Sequence, residues 1–153
     1  MSYLEILARH FRLNKQRADN YAFLKAAMAA CAIISAADGS ACKKESRRVK
    51  ELMRALKILN LYDVKLGVDL YSREVRPLLE DFEAALPKAL DLVHIMNGDT
   101  EACRLIVEIC RSISEADGIV YPSEEEALGK IAGLLDMPTD DIGRIELPSV
   151  HDP

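Results

Sequence analysis

The hydrophobic positions of this chain recur with the 3.6-residue period of an α-helix, and no segment shows the sustained alternation typical of a β-strand. Residues 2–12 are predicted to form a short amphipathic helix. Its apolar face holds Leu4, Leu7 and Phe11. A second helix is predicted to begin after Asp19 or Asn20, either of which can cap it, and to run to Asp38. Because this segment is rich in alanine and apolar almost all round, we expect it to be the central helix.

The third helix is predicted to carry a narrow apolar stripe on a basic surface. The stripe has the i, i+3, i+4, i+7 spacing of one buried helix face and consists of Val49, Leu52, Met53 and Leu56. Seven basic residues are predicted to lie largely outside it: Lys43, Lys44, Arg47, Arg48, Lys50, Arg54 and Lys57. We therefore expect one face of this helix to be buried and the other to be positively charged.

The segment after residue 60 begins with a predicted fourth helix that Asp63 can cap. Its apolar positions are Leu66, Leu70 and Val75. Pro77 and Pro87 are expected to interrupt the chain beyond these positions, because proline is tolerated in the first turn of a helix and is disruptive inside it. Residues 78–85 are therefore predicted to be either helical or irregular.

Three more helices are predicted in the last third of the chain. The predicted boundaries are 87–96 for the fifth helix, which Asn97-Gly98 ends, Asp99 or Thr100 to Ala116 for the sixth, and 122–135 for the seventh. Pro122 suits the first position of the seventh helix, and Ser123 is a candidate for its cap. A short helical turn is predicted from Thr139, and the remainder is a tail. The fold class expected is all-α, with about seven helices.

An offset of 79 residues aligns two parts of the chain in one register. The matched positions include Cys31 with Cys110, Ile34 with Ile113, Ser35 with Ser114, Asp38 with Asp117, Glu45 with Glu124, Val49 with Leu128 and Leu52 with Ile131. Since core and loop positions match together, we predict two pseudo-symmetric helix–loop–helix units packed about a twofold axis. The predicted organisation is an N-terminal helix (1–18), one all-α domain (19–137) and a C-terminal short helix with tail (138–153).

The charge of the chain is distributed unevenly. The net charge is −5, but residues 43–57 carry seven Lys or Arg and two Glu, whereas residues 58–153 carry eight Lys or Arg and twenty Asp or Glu. Nucleic-acid binding requires a basic footprint that neutralises phosphates, so we expect no nucleic-acid partner. The basic segment leaves two interpretations open, a solvated helix face or a surface for an acidic partner or anionic lipid.

The compartment expected from the sequence is the cytoplasm. No apolar run reaches the roughly 18 residues needed to span a bilayer, and the first residues lack the apolar core of a secretory signal. The four cysteines form no CxxC pair, and the three histidines are scattered, so neither a disulfide framework nor a structural zinc site is indicated.

Each of the two units carries an Asp-Gly pair where its first helix ends. Gly39 and Gly118 are predicted to end these helices in the left-handed conformation, which costs glycine no steric penalty. An aspartate at this place faces the negative end of the helix dipole, at a cost of about 0.3–1 kcal/mol. Either backbone N–H groups of the next turn or a bound cation must offset that cost.

A glutamate follows each aspartate by seven residues, so the candidate metal ligands are Asp38, Glu45, Asp117 and Glu124. Carboxylate oxygens suit a hard divalent cation such as Ca²⁺ or Mg²⁺. The spacing does not match a twelve-residue EF-hand loop. The alternative is structural, because a glutamate in the first turn of a helix also favours the positive end of the dipole.

The doubled motif, "AADGSACKKE" and "EADGIVYPSEEEA", resembles that of the tellurite-resistance TerB family over roughly residues 20–137. The resemblance implies an all-α fold of about seven helices in two related halves. It further implies a role in tellurite and other stress responses, with the acidic motif residues binding a divalent cation (Ca²⁺, Mg²⁺ or Zn²⁺). The partners it implies are other stress-resistance proteins at the inner membrane surface.

Two functions follow as expectations. The first is a non-enzymatic TerB-like module that binds a divalent cation through its Asp-Gly loops. The alternative is a helical protein-interaction or membrane-surface module, also compatible with a homodimer, in which the loops are purely structural. An enzyme is not expected, because the sequence shows no nucleophile–base pair, P-loop or dinucleotide fingerprint.

Overall fold

The computed structural model describes residues 8–9, 11–12, 20–37, 39, 43–58, 61–114 and 121–138, without the side chains of 43–46, 56 and 58. All regular secondary structure in these ranges is helical, which confirms the all-α fold class. Six helices have defined bounds: α1 (Tyr21–Ala36), α2 (Lys43–Ile58), α3 (Val64–Glu80), α4 (Phe82–His94), α5 (Thr100–Ser114) and α6 (Pro122–Leu134). Residues 8–9 and 11–12 are helical too, within the predicted first helix.

Helix α1 lies at the centre of the fold, as its composition predicted. It contacts all five other helices, and 13 of its 16 residues are buried. Its many alanines let neighbouring helices approach closely on several sides. Asn20 starts the helix, because its side chain accepts a hydrogen bond of 2.8 Å from the N–H of Ala22.

Helix α2 packs its predicted apolar stripe against α3. Val49, Leu52 and Met53 are buried. A Cβ atom at Gly67 of α3 would overlap the side chain of Met53, so a larger residue there would require Met53 to shift. The prediction that the basic residues lie largely outside the stripe is wrong for Arg48, which is 3% exposed. Arg48 flanks the stripe, and α2 also contacts α1 and α5, so the neighbouring helices cover this flank.

The predicted interruption of the chain at its prolines is wrong. Both Pro77 and Pro87 lie inside helices, and the break between α3 and α4 is at Asp81, whose backbone is extended. Asp81 caps α4 by accepting a hydrogen bond of 3.3 Å from the N–H of Ala84. Both prolines are exposed, so water can satisfy the carbonyl groups they leave free, while buried Leu78 holds α3 against the core.

Helices α4 and α5 are joined by a turn that also holds the end of α6. Gly98 has φ +99°, in agreement with the predicted end of the fifth helix at Asn97-Gly98. The Asn97 side-chain amide donates hydrogen bonds to the Leu134 carbonyl at 3.0 Å and to the Asp136 carboxylate at 3.1 Å. Asp99 then caps α5, as predicted, by accepting a hydrogen bond of 3.1 Å from the N–H of Ala102.

One apolar core joins the described helices, and it includes Ala8 and Phe11 from the predicted N-terminal helix. Leu66, predicted at an apolar position of α3, is 37% exposed, whereas Leu70 and Val75 are buried. No helix in the described part of the chain combines the length and hydropathy needed to cross a membrane. The predicted domain boundaries at residues 18 and 137 remain predictions, and the predicted helical turn from Thr139 lies outside the described residues.

Candidate functional site

The first Asp-Gly loop begins where α1 ends. Ala37 caps the helix, and the N–H of Gly39 donates a hydrogen bond of 2.9 Å to the Ala36 carbonyl. Gly39 has φ +90°, and a Cβ atom built on it would meet no heavy atom within 4 Å. Glycine is therefore favoured at position 39 by the backbone conformation and not by lack of space, as predicted for a residue that ends a helix. Gly118, its predicted counterpart, lies outside the described residues.

The four predicted metal ligands are described to different extents. Asp38 and Asp117 lie outside the described residues. The backbone of Glu45 is helical, as the third residue of α2, but its side chain is outside the description. Glu124 is fully described, and it is 2% exposed in the first turn of α6. Of the four carboxyl groups, only that of Glu124 is described by the structure, and it lies in the protein interior.

Glu124 is held at the N-terminus of α6 by the local backbone. Tyr121 takes the extended backbone of a capping residue, and its carbonyl accepts hydrogen bonds from the N–H groups of Glu124 at 3.0 Å and Glu125 at 3.1 Å. Pro122 occupies the first helical position, as predicted. The prediction that Ser123 caps the helix is wrong, because Ser123 is already its second residue. The positive end of the helix dipole stabilises a carboxylate at this place.

Other charged residues at the helix seams are also buried. The Arg111 guanidinium of α5 is 3.8 Å from the Glu125 carboxylate of α6, and this ion pair joins the two helices of the second unit. Glu108 of α5 is 9% exposed. Buried charges in proteins are paired or coordinate ions, because desolvation penalises them otherwise. Helices α5 and α6 thus meet through charged as well as apolar groups.

A surface cavity of about 110 Å³ connects the two units. Its lining comes from the end of α1, the start of α4 and the first turns of α6: Ala37, Phe82, Glu83, Ser123, Glu126, Ala127 and Lys130. Two of these residues, Lys130 and Glu126, form an ion pair of 3.8 Å along α6. Ala37 directly precedes Asp38, and Ser123 directly precedes Glu124. The start of the first loop therefore lies beside the helix that follows the second loop.

Among the described residues, no group of three or more His, Cys, Asp or Glu side chains is arranged to hold a metal ion. The carboxyl groups of Asp38, Glu45 and Asp117 are not part of that set. The four-ligand assignment therefore remains a prediction.

The buried cysteines occupy matching places in the two units. Cys31 and Cys110 are fully buried free thiols. Burial raises the pKa of Cys110 well above its ordinary value of 9.0, and the nearby Cys31 thiol raises it further. Cys31 and Cys110, which the 79-residue offset aligns with each other, are therefore also neighbours in the fold. Four further matched pairs are buried in the same way, namely Ile34 with Ile113, Ser35 with Ser114, Val49 with Leu128 and Leu52 with Ile131.

Cys103 differs from this pair because it lies beside the α4–α5 turn. Burial raises its pKa, and the negative charges of Asp99 and Asp136 raise it further. Its thiol donates a hydrogen bond of 3.0 Å to the Met96 carbonyl. These features describe a structural thiol that stays protonated, with low nucleophilic reactivity.

Three features of the candidate site and its surroundings are not predicted from the sequence. They are the burial of Glu124, the burial of Arg48, and the cavity that joins Ala37 to α6. Only the acidic first turn of α6 carried a signal, since "PSEEEA" comes shortly after the second Asp-Gly pair. The rest depends on which helices lie against one another.

Comparison with known proteins identifies the family. A family model described as "Tellurite resistance protein TerB" matches residues 24–147, which is most of the chain and includes both Asp-Gly loops. No curated protein and no solved structure gives a significant match. The all-helical fold and the extent of the match agree with the resemblance of the doubled motif. The chain therefore belongs to the TerB family of tellurite-resistance proteins.

Proposed function

We propose that this chain is a non-enzymatic TerB-family module that binds a divalent cation through the carboxylates of its two Asp-Gly loops. The proposed site consists of Asp38, Glu45, Asp117 and Glu124. Its proposed role is in the response to tellurite or metal stress, in the cytoplasm. Membership of the TerB family supports the stress-response assignment.

The observation that carries this proposal is that the end of α1, where the first loop begins, lies beside the start of α6, which follows the second loop in the sequence. Ala37 and Ser123 line one cavity, and each directly precedes a predicted ligand. Two loops that bring like charges together repel each other unless a cation or hydrogen-bond donors compensate. Glu124 follows Ser123 in the sequence and has a buried side chain, and buried carboxylates are stabilised by pairing or by a coordinated cation.

The chemistry of the ligand set favours particular ions. All four proposed ligands are carboxylates, and oxygen-only sites suit Ca²⁺ and Mg²⁺. Zn²⁺ is bound more often through imidazole and thiolate groups, and the described cysteines are buried in the helices. Ca²⁺ or Mg²⁺ therefore fits these residues better than Zn²⁺.

Isothermal titration calorimetry of the metal-free protein tests the proposal with Ca²⁺, Mg²⁺, Zn²⁺ and Mn²⁺ in turn. We expect Ca²⁺ or Mg²⁺ to release or absorb heat, and the double variant Asp117→Asn with Glu124→Gln to weaken binding at least about tenfold. Glu101→Gln is the matched control, because Glu101 is an exposed first-turn glutamate of another helix. The proposal fails if no ion gives heat, or if the double variant binds like the control.

The basic face of α2 supports a second candidate function, a module that docks on partners or on the inner membrane surface. Lys50, Arg54 and Lys57 are exposed and spaced i, i+4, i+7, so they form one stripe along the helix. Arg48 does not belong to this stripe, because it is buried.

Vesicle co-sedimentation in the presence of a chelator separates the two functions. Under the second function, the protein binds vesicles that contain phosphatidylglycerol and not neutral phosphatidylcholine vesicles. Reversal of Lys50, Arg54 and Lys57 to glutamate then abolishes binding, since juxtamembrane basic residues contribute about 1 kcal/mol each. Equal binding by the variant, or binding that requires a divalent cation, excludes this candidate.

A further inference from the structure

The turn between α4 and α5 contains the only Asn-Gly pair in the sequence, Asn97-Gly98. Each of the other three asparagines is followed by a larger residue: Asn14 by Lys15, Asn20 by Tyr21 and Asn60 by Leu61. Deamidation of asparagine begins when the backbone nitrogen of the next residue attacks the side-chain amide. Glycine obstructs this attack least, because it has no Cβ atom. By sequence, Asn97 is therefore the asparagine of this chain most susceptible to deamidation.

The reaction needs no co-reactant other than water. The backbone nitrogen of Gly98 loses its proton and attacks the side-chain carbonyl carbon of Asn97, and ammonia leaves as a succinimide ring closes. Water then opens the ring at either of its carbonyl groups, which gives aspartate or isoaspartate at position 97. Asn97 and Gly98 are both exposed in the turn, so water has access to the reacting groups.

The side-chain amide of Asn97 also joins this turn to the end of α6. Its NH₂ group donates hydrogen bonds to the Leu134 carbonyl at 3.0 Å and to the Asp136 carboxylate at 3.1 Å. Leu134 is the last residue of α6, and Asp136 has φ +56°, a left-handed conformation that is unfavourable for residues other than glycine. Such a conformation persists where neighbouring contacts hold it. We call these two hydrogen bonds the Asn97 latch.

The Asn97 latch depends on an amide at position 97, because both of its partners are hydrogen-bond acceptors. A carboxylate has no hydrogen to donate, so deamidation removes both bonds. It also places a negative charge opposite the Asp136 carboxylate, and like charges this close repel each other. Asp99 adds a further negative charge at this turn, since the charges of Asp99 and Asp136 both raise the pKa of the adjacent Cys103 thiol.

We propose that Asn97-Gly98 is a site of spontaneous deamidation, and that conversion of Asn97 to aspartate or isoaspartate releases the end of α6 from the α4–α5 turn. The latch itself holds the amide in the folded protein, so the reaction occurs when local fluctuations open these bonds. Release affects backbone that includes Leu135, a core residue that is 3% exposed. The modification requires no bound cation and does not depend on the function proposed above.

Mass spectrometry of the full chain, aged at mildly alkaline pH in EDTA, tests the modification. We expect the mass gain that exchange of an amide NH₂ for OH produces, and peptide mapping should place it on Asn97. Asn20 is the internal control, because it is followed by Tyr21 and not by glycine. The same chain unfolded in urea gives the reference rate. An Asn97 that stays intact in the folded protein while the unfolded chain deamidates overturns the proposal, as does faster deamidation of Asn20.

Hydrogen exchange of the variant Asn97→Asp tests the release of the helix end. Three backbone N–H groups report on this end, because Leu135, Asp136 and Met137 donate hydrogen bonds to carbonyl groups of α6. Their exchange should be at least about tenfold faster in the variant, since two hydrogen bonds are lost and a charge repulsion is added. The aged wild type should show the same acceleration. The N–H of Glu125, at the other end of α6, should exchange as in the unmodified protein.

Asn20→Asp is the matched control variant. It makes the same substitution at an asparagine whose side chain accepts a hydrogen bond, from the N–H of Ala22, and a carboxylate accepts this bond equally well. Its α6 end should therefore exchange like that of the wild type. Unchanged exchange of the α6 end in Asn97→Asp overturns the proposal. So does an equal acceleration in Asn20→Asp, because any added negative charge would then have the same effect.

Discussion

The two helix–loop–helix units differ in where they place their charges, although their apolar positions follow one register. In the first unit α1 is buried through 13 of its 16 residues, and none of these is charged. In the second unit α5 also buries most of its length, but Glu108 and Arg111 are among its buried residues. The equivalent helices thus share a packing role while only one of them carries charge into the interior.

The helices after the loops differ in the sign of their charges, although each buries a charged residue, Arg48 in α2 and Glu124 in α6. Helix α2 presents Lys50, Arg54 and Lys57 to solvent, whereas α6 begins with an acidic first turn that contains buried Glu124. The comparison teaches that the apolar register determines the architecture and that the charged positions diverge around it. We therefore expect the charged positions that differ between the units to determine function, and the apolar positions that match to determine stability.

The largest expected effect comes from truncating apolar residues that occupy matching core positions in the two units. Ile34→Ala and Ile113→Ala remove matched side chains that are 0% and 1% exposed. Each should lower the free energy of unfolding by about 2–5 kcal/mol, because a buried cavity adds to the lost transfer free energy. Urea denaturation measures both. A loss below about 1 kcal/mol at either position would contradict equal packing roles for α1 and α5.

The next largest loss of stability is expected from truncating Glu124, and its neighbour Glu125 in α6 provides the comparison. Glu124→Ala should destabilise the protein by about 1–3 kcal/mol, because it truncates a buried polar side chain. Glu125→Ala should cost less than about 1 kcal/mol, because the Glu125 side chain is 49% exposed and its ion pair is solvent-screened. The two values come from matched denaturation curves without added metal. Equal losses would mean that burial of Glu124 contributes nothing.

Smaller changes in the free energy of unfolding, of opposite sign, are expected when a loop glycine and a helix glycine are each replaced by alanine. Gly39→Ala should cost about 1–2 kcal/mol, because alanine resists the positive φ found there. Gly129→Ala should instead stabilise the protein by about 0.5–1 kcal/mol, since Gly129 lies inside α6 with open space around it. Thermal unfolding distinguishes the two signs. Stabilisation by Gly39→Ala would show that the loop does not need a left-handed residue.

The smallest effect is confined to alkaline pH. The Cys110 thiol has a raised pKa in the folded state, so above its ordinary value of 9.0 the unfolded chain loses a proton that the folded chain keeps. Its contribution to stability is therefore complete below pH 9 and is lost as the pH rises through the folded pKa. The slope is at most about 1.4 kcal/mol per pH unit.

Comparison of Cys110→Ala with the wild type across this range isolates the thiol from other alkaline titrations. The wild type should lose more stability per pH unit than the variant. Parallel curves would indicate that Cys110 ionises equally easily in both states. Buried Ile109→Val serves as a control for small packing changes in the same helix.

Much of the fold could be predicted because its signals are local. The capping roles of Asn20 and Asp99 and the turn at Asn97-Gly98 follow from side chains that bond within a few residues. The helix break lies at Asp81 and not at either proline, because the Asp81 side chain caps α4. Packing of the apolar residues around each proline keeps both helices intact, and local rules do not include that packing.

The candidate site was less predictable because it depends on contacts between helices distant in sequence. Glu124 was correctly placed in the first turn of a helix, but its burial depends on the helices that pack over it. Arg48 lies next to the apolar stripe, so a small rotation of α2 decides whether it faces solvent or a neighbouring helix. A single-sequence pattern does not specify that rotation.

The sequence by itself determined most of the helices and their apolar positions, the doubled motif and the resemblance to the family, because all of these depend on residue order and spacing. The tertiary structure alone decided which charges are buried and that the end of α1, where the first loop begins, lies beside α6. The reason is physical. The free energy of a charged or apolar side chain depends on its surroundings, and those surroundings come from distant parts of the chain.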